Sequence, residues 1–145
     1  LNNKKIGGIL LESLNVSRNK KLALVIGFGL NLKSCPSLSI LDDEALPADS
    51  LKNSLLMVPE SIEFLKLLIP VFEEWNKIFV EEGFNKIREG FLKRTIPVGT
   101  KIRVKTADKI TIGNFFGISD EGSLILDCPT GQIFVASGDV FLMGK

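Results

Sequence analysis

The sequence predicts an α+β fold in two parts: a segment of mixed or antiparallel sheet with helices packed on one face, then a small β-barrel. Three features point to it. Two apolar, strand-like runs open the chain, a helical period takes over in the middle, and short β-branched runs divided by tight turns fill the end.

The first runs, Lys5 to Leu11 and Lys21 to Leu32, are apolar at nearly every position, as buried central strands are, and the polar turn "NVSRNKK" makes them antiparallel neighbours. The preceding "NNKK" has the chemistry of a hairpin turn whose other strand would come before Leu1, so the chain is expected to be part of a longer protein. "KSCPSLSILDDEALPADSLKN" has turn formers and no sustained period, and reads as a surface loop with one short helical turn. From Pro59 to Val80, Ile62, Leu65, Ile69, Phe72 and Phe79 recur at helical spacing, with Pro70 expected to kink the helix and Gly83 to follow it. A shorter helix is expected over Phe84 to Lys93. Beyond it the texture changes to short alternating or β-branched runs, "TKIRVKT", "KITIGNFFGIS", "SLILDC" and "QIFVAS", and five short strands in about fifty residues make a small barrel, with Asp139 of "GDVF" near a strand turn. The domain boundary is placed near Ile96, giving domains 1–95 and 96–145.

Composition narrows the function. With 18 basic and 17 acidic residues the formal net charge is +1, which gives no broad field for nucleic acid or an anionic membrane. Histidine is absent and Cys35 and Cys128 lie far apart, so no metal site is expected and triad chemistry is disfavoured. Unpaired cysteines and the lack of a signal-peptide pattern or a membrane span suggest a reduced, cytoplasmic protein. The acidic groups "DDE", "EEW" and "EEG" look solvated, and no carboxylate pair for acid–base work stands out.

The stretch "VIGFGLNL" is unusual for a strand, because Gly27, Gly29 and Asn31 occupy alternate positions and so share one face that is almost bare of side chains. A flat ligand could lie there against backbone, with Asn31 able to donate and accept hydrogen bonds to an adenine edge. On the neighbouring strand Lys5, Gly7 and Ile9 share a face, and Gly8 adds a further point of close approach. An ammonium at Lys5 could hold a carboxylate and stabilise negative charge developing on an acyl-phosphate. Each feature also has an ordinary reading: strand glycines mark bulges or make room for a large neighbour, Lys5 is a solvated strand end, and Asn31 caps a loop. Trp75 is expected to pack the helix.

These motifs, "KKIGGILLE", "VIGFGLNL", "PADSL", "GFNKIREGFLKR", "GNFFGISDEGSLIL" and "SGDVF", together resemble the C-terminal part of a biotin–protein ligase, also called biotin–[acetyl-CoA-carboxylase] ligase. The resemblance covers essentially the whole chain. Its most specific pieces are the Lys-x-Gly-Gly-Ile-Leu and Gly-x-Gly-x-Asn motifs in that order.

The resemblance implies an SH3-like terminal barrel and a two-step reaction, in which biotin and ATP with Mg2+ give biotinyl-5′-AMP and the acyl group then passes to a carrier lysine. It implies that Lys5 is catalytic and contacts biotin, that Gly7, Gly8, Gly27 and Gly29 line the biotin pocket, and that Asn31 meets the nucleotide. The partner would be the biotin carboxyl carrier domain of acetyl-CoA carboxylase or a related carboxylase, with a homodimer as a further possibility. The family's Gly-Arg-Gly-type loop belongs upstream of the lysine, so this chain alone is expected to be inactive or very weak. Phe91 stands where members often carry tryptophan, and Met143 where some carry arginine. A non-catalytic interaction module that binds a partner without turnover is the alternative.

Overall fold

The computed structural model describes residues 1–2, 4–15, 22–36 and 47–143. The turn expected at residues 16–21 and the acidic run Asp42 to Glu44 therefore lie outside the described residues. The fold is α+β, and the chain groups into two compact units, residues 1–65 and 66–145.

In the first unit, β1 (Gly7–Asn15) and β2 (Leu22–Leu30) form a two-stranded antiparallel ribbon. Leu10 stands across from Gly27, Gly8 from Gly29 and Gly7 from Leu30. β1 begins two residues later than its sequence suggests, because Lys5 is taken by a parallel bridge to Ala48. The stretch containing Ala48 reads as surface loop, yet it returns to the ribbon's end and closes in a 3-10 turn at Leu51–Asn53. Ile9, Leu10, Leu11 and Leu14 on β1, with Leu24, Val25 and Phe28 on β2, are each at least 44% exposed. Successive strand residues face opposite ways, so both faces of the ribbon are apolar and open, the composition of a strand pair at the centre of a larger sheet.

Helix α1 (Ser61–Glu82) runs on through Pro70, and Gly83, with a φ of 79° that favours glycine, separates it from α2 (Phe84–Leu92). The stripe of α1 that is least exposed is Phe64, Leu68, Trp75 and Ile78, whereas the expected face of Ile62, Leu65, Ile69, Phe72 and Phe79 is 42–60% exposed. The helix is apolar around most of its circumference, so spacing alone fits more than one stripe. Contact decides between them. The Trp75 ring lies against Gly90 of α2, where an added Cβ would come within 2.3 Å of the indole, and the Arg94 guanidinium sits 5.4 Å from the ring centre.

The second unit ends in five antiparallel strands, β3 (Lys101–Lys105), β4 (Ile110–Ile118), β5 (Leu124–Cys128), β6 (Gly131–Val135) and β7 (Asp139–Leu142), in the spatial order β6-β5-β4-β3-β7. Alternation in "GNFFGI" turns Gly113, Phe115 and Gly117 inward, and a register shift between Phe115 and Gly117 bends β4. Ile102, Val104, Phe115 and Leu126 are no more than 3% exposed and form the core. Arg88 ties α2 to β4 by donating from Nη1 to the Ile118 carbonyl at 3.2 Å, and it also pairs with Asp120. Cys35 and Cys128 are free thiols.

Leu126 is fully buried, so Leu126→Ala is expected to destabilise the second unit by about 2–5 kcal/mol in urea titrations. Leu56→Ala, at a fully exposed position, should change stability by less than about 0.5 kcal/mol.

Candidate functional site

At the open end of the ribbon three distant segments are stitched together by backbone hydrogen bonds. The Lys5 amide donates to the Pro47 carbonyl (2.8 Å), and the Asp49 amide donates to the Lys5 carbonyl (2.9 Å). The Asn31 amide donates to the Ile6 carbonyl (2.7 Å), while the Asn31 and Leu32 carbonyls accept from the amides of Leu51 (2.9 Å) and Lys52 (3.0 Å). The segment 47–52 thus joins the strand ends as a third, short extension of the sheet.

A cavity of about 460 Å³, within the range of small-ligand sites, lies here. Lys5, Gly7, Gly8, Gly29, Leu30 and Asn31 line it, with Pro36 and Ala48. Gly27 stands farther along β2, against Leu10, and is not part of this lining. The ladder also settles which faces meet. Gly8, not Gly7, is directly across from Gly29, so Gly8 and Gly29 make the bare patch, while Gly7 shares a face with Leu30. Alternation along one strand fixes which of its residues share a face, but only the register says which face of the neighbour they meet.

The glycines differ in what they permit. A Cβ on Gly8 or Gly29 would meet nothing within 4 Å, and both are exposed. A Cβ on Gly7 would come within 2.4 Å of the Gly29 carbonyl oxygen and 3.2 Å of the Leu30 Cα, both backbone atoms that cannot give way without breaking the ladder. Gly7 is therefore demanded by the fold, and Gly8 and Gly29 leave space open.

Two adjacent lysines have different fates. Lys4 Nζ donates to Asp49 Oδ2 at 3.0 Å, whereas the Lys5 ammonium has no hydrogen-bond or ion-pair partner among the described residues. Lys5 is exposed and lines the cavity. Asn31 Nδ2 donates to the Asp49 carbonyl at 2.9 Å, which orients the amide and leaves Oδ1 and the second amide hydrogen for other partners. Asp49 itself is 7% exposed, and its Oδ1 accepts from Asn53 Nδ2 (2.6 Å) and the Ser50 amide (2.8 Å). Hydrogen bonds from Asn53, Lys4 and the Ser50 amide favour the charged carboxylate and lower its pKa from 3.8 to about 2. Asp49 escapes a reading by sequence, although an aspartate directly before a Ser-x-x-Asn turn is a recognisable local signal. Among the described residues no three histidine, cysteine or carboxylate side chains gather as a metal site, and no helix is long and apolar enough to cross a membrane.

Comparison with known proteins shows what the chain is similar to. Residues 98–143 match the family described as Biotin protein ligase C terminal domain. Along 99% of its length the chain is 34% identical to the biotin–[acetyl-CoA-carboxylase] ligase of Paracoccus denitrificans, and along 98% it is 26% identical to the bifunctional ligase/repressor BirA of Bacillus subtilis. It spans 60% of the first of these relatives and 43% of the second. In structure it is similar to the apo biotin protein ligase of Aquifex aeolicus, with a TM-score of 0.78 at 19% identity over 99% of this chain and 61% of that one. The same enzyme in complex with biotin and ATP matches with a TM-score of 0.75 at 21% identity, over 99% of this chain and 57% of that one. The resemblance to biotin–protein ligases therefore holds in sequence and in fold across the whole chain, and its relatives are enzymes of which it spans a portion.

Two outcomes test this geometry. Gly7→Ala should strain the ribbon by about 1–3 kcal/mol and raise amide hydrogen exchange along β1 and β2, whereas Gly8→Ala and Gly29→Ala should leave exchange there unchanged. Because the Asp49 carboxyl is held below its ordinary pKa, its contribution to stability is fully present above pH 3.8 and is lost as pH falls toward about 2. In thermal melts the gap between wild type and Asp49→Asn should be constant at neutral pH and close across that acidic window.

Proposed function

We propose that this chain is the C-terminal portion of a biotin–protein ligase, with residues 1–95 belonging to the catalytic domain and residues 96–145 forming its SH3-like barrel. The whole protein makes biotinyl-5′-AMP from biotin and ATP, with Mg2+ accompanying ATP as substrate, and passes the biotinyl group to a lysine of a carboxylase carrier domain in the cytoplasm. The observation that carries this reading is the cavity at the ribbon's end, lined by Lys5, whose ammonium has no partner among the described residues, by two open glycines and by Asn31 with its oriented carboxamide.

Each feature suits a part of that chemistry. Gly8 and Gly29 leave room for the fused rings of biotin against backbone, with Gly7 keeping the strands close and Gly27 continuing the bare face of β2. The Lys5 ammonium attracts the biotin carboxylate. As that carboxylate attacks the α-phosphate, negative charge spreads over the phosphate oxygens and pyrophosphate departs, and a fixed cation stabilises the spreading charge more than the ground state. Asn31 offers one acceptor and one donor to the adenylate. The relatives are longer than this chain, so the residues of 1–145 supply part of the pocket and the rest comes from sequence beyond them.

The test is a titration of the complete enzyme with a non-hydrolysable biotinyl-5′-adenylate analogue, read as thermal stabilisation. A ligand bound only by the folded form stabilises by about 2.7 kcal/mol at a hundredfold excess over Kd. Stabilisation that is lost in Gly29→Val is the expected result. No stabilisation, or stabilisation that survives a valine on the cavity floor, overturns the assignment. In the complete enzyme Lys5→Ala should lower kcat for adenylate formation by about a hundredfold or more with the melting temperature unchanged, as loss of one transition-state contact does.

A further inference from the structure

Asp49 is engaged through every polar atom it has. Its amide donates to the Lys5 carbonyl and its carbonyl accepts from Asn31 Nδ2, each at 2.9 Å. Its carboxylate touches neither of those residues. It accepts instead from Lys4, Ser50 and Asn53. The backbone of Asp49 thus bridges the main chain of Lys5 and the carboxamide of Asn31, two residues that line the cavity, and its side chain holds that backbone in place.

Three donors on one carboxylate, two of them from the 3-10 turn and its start, leave the peptide groups on either side of Asp49 little freedom to rotate. Those peptide groups aim at Lys5 and Asn31. There is an electrostatic consequence as well. Of the tandem lysines it is Lys4, at the end of the turn closed by its amide on the Leu1 carbonyl, whose Nζ reaches the Asp49 carboxylate. Its charge is neutralised there, and Lys5, which lines the cavity, has no ion-pair partner among the described residues.

We propose that Asp49 is a positioning residue that couples Lys5 to Asn31, so that a ligand anionic at one end and purine-bearing at the other meets both groups in one fixed geometry. The identity of that ligand rests on the biotinyl-adenylate reading; the coupling does not. A loosened Asp49 releases the strand end carrying Lys5 and the carboxamide of Asn31 together, and binding contacts at the two ends of the ligand are lost as one.

The test is calorimetric binding of the non-hydrolysable biotinyl-5′-adenylate analogue to the complete enzyme, wild type and variants, with backbone and side-chain amide exchange followed by NMR. Asp49→Ala should weaken binding about tenfold, with Asp49→Asn, which retains an acceptor for Ser50 and Asn53, recovering most of the loss. Asn53→Ala, which removes one anchor and touches neither cavity group, should weaken binding about threefold. The double variant of Asn53→Ala and Asn31→Ala should lose less than the product of the single losses, because the two changes act on one unit. A residue that merely stabilises the fold gives losses that multiply. Unchanged affinity in Asn53→Ala, or multiplying losses, overturns the proposal, and this holds even if Asp49→Ala does not fold. If wild type fails to bind the analogue, the functional reading falls and exchange alone decides the coupling. The Lys5 amide and the Asn31 carboxamide should then exchange faster in Asn53→Ala while β4 amides stay protected, and equal rates there refute it.

Discussion

Three pieces of chain far apart in sequence meet at one end of a two-stranded ribbon, and the rest of the candidate site depends on that junction. Lys5 and Ile6 come from before β1, Asn31 and Leu32 from after β2, and residues 47–52 cross to both. Backbone groups there are paired with backbone, which satisfies them without consuming the side chains that line the cavity. Among the described residues the ammonium of Lys5 has no partner, and Asn31 spends only one of its amide hydrogens.

The same junction explains why glycine occurs where it does. At Gly7 the backbone of β2 approaches so closely that any side chain would strike the Gly29 carbonyl, so glycine is a requirement of pairing. At Gly8 and Gly29 no neighbour demands the missing side chain, and the space faces outward. One motif, Gly7-Gly8, thus contains a structural glycine and a space-making one, and the residue opposite each distinguishes them.

The two compact units differ in how they meet the cost of ordering. Five strands in the second unit bury a core of Ile102, Val104, Phe115 and Leu126 almost completely. Among the described residues the ribbon of the first unit has no such core, and two strands with both faces open are marginal by themselves in water. A strand pair so apolar on both sides belongs inside a larger sheet, in keeping with relatives of which this chain spans 60% or less.

The order of elements was legible in the chain itself: apolar runs gave β1 and β2, helical spacing gave α1 and α2, and turn-divided β-branched runs gave β3 to β7, because each pattern reports a local period. The motifs "KIGGIL" and "GFGLN" marked Lys5, the glycines and Asn31 as candidates for the same reason. Which glycine faces which, which stripe of α1 is least exposed, and which lysine is neutralised were decided only in three dimensions. Register, helix contact and the approach of Asp49 to Lys4 are relations between segments, and each side of such a relation looks the same in sequence whether or not its partner is present. Asp49 shows this most plainly, since a residue that reads as loop becomes the link between two cavity groups once the chain has folded back on itself.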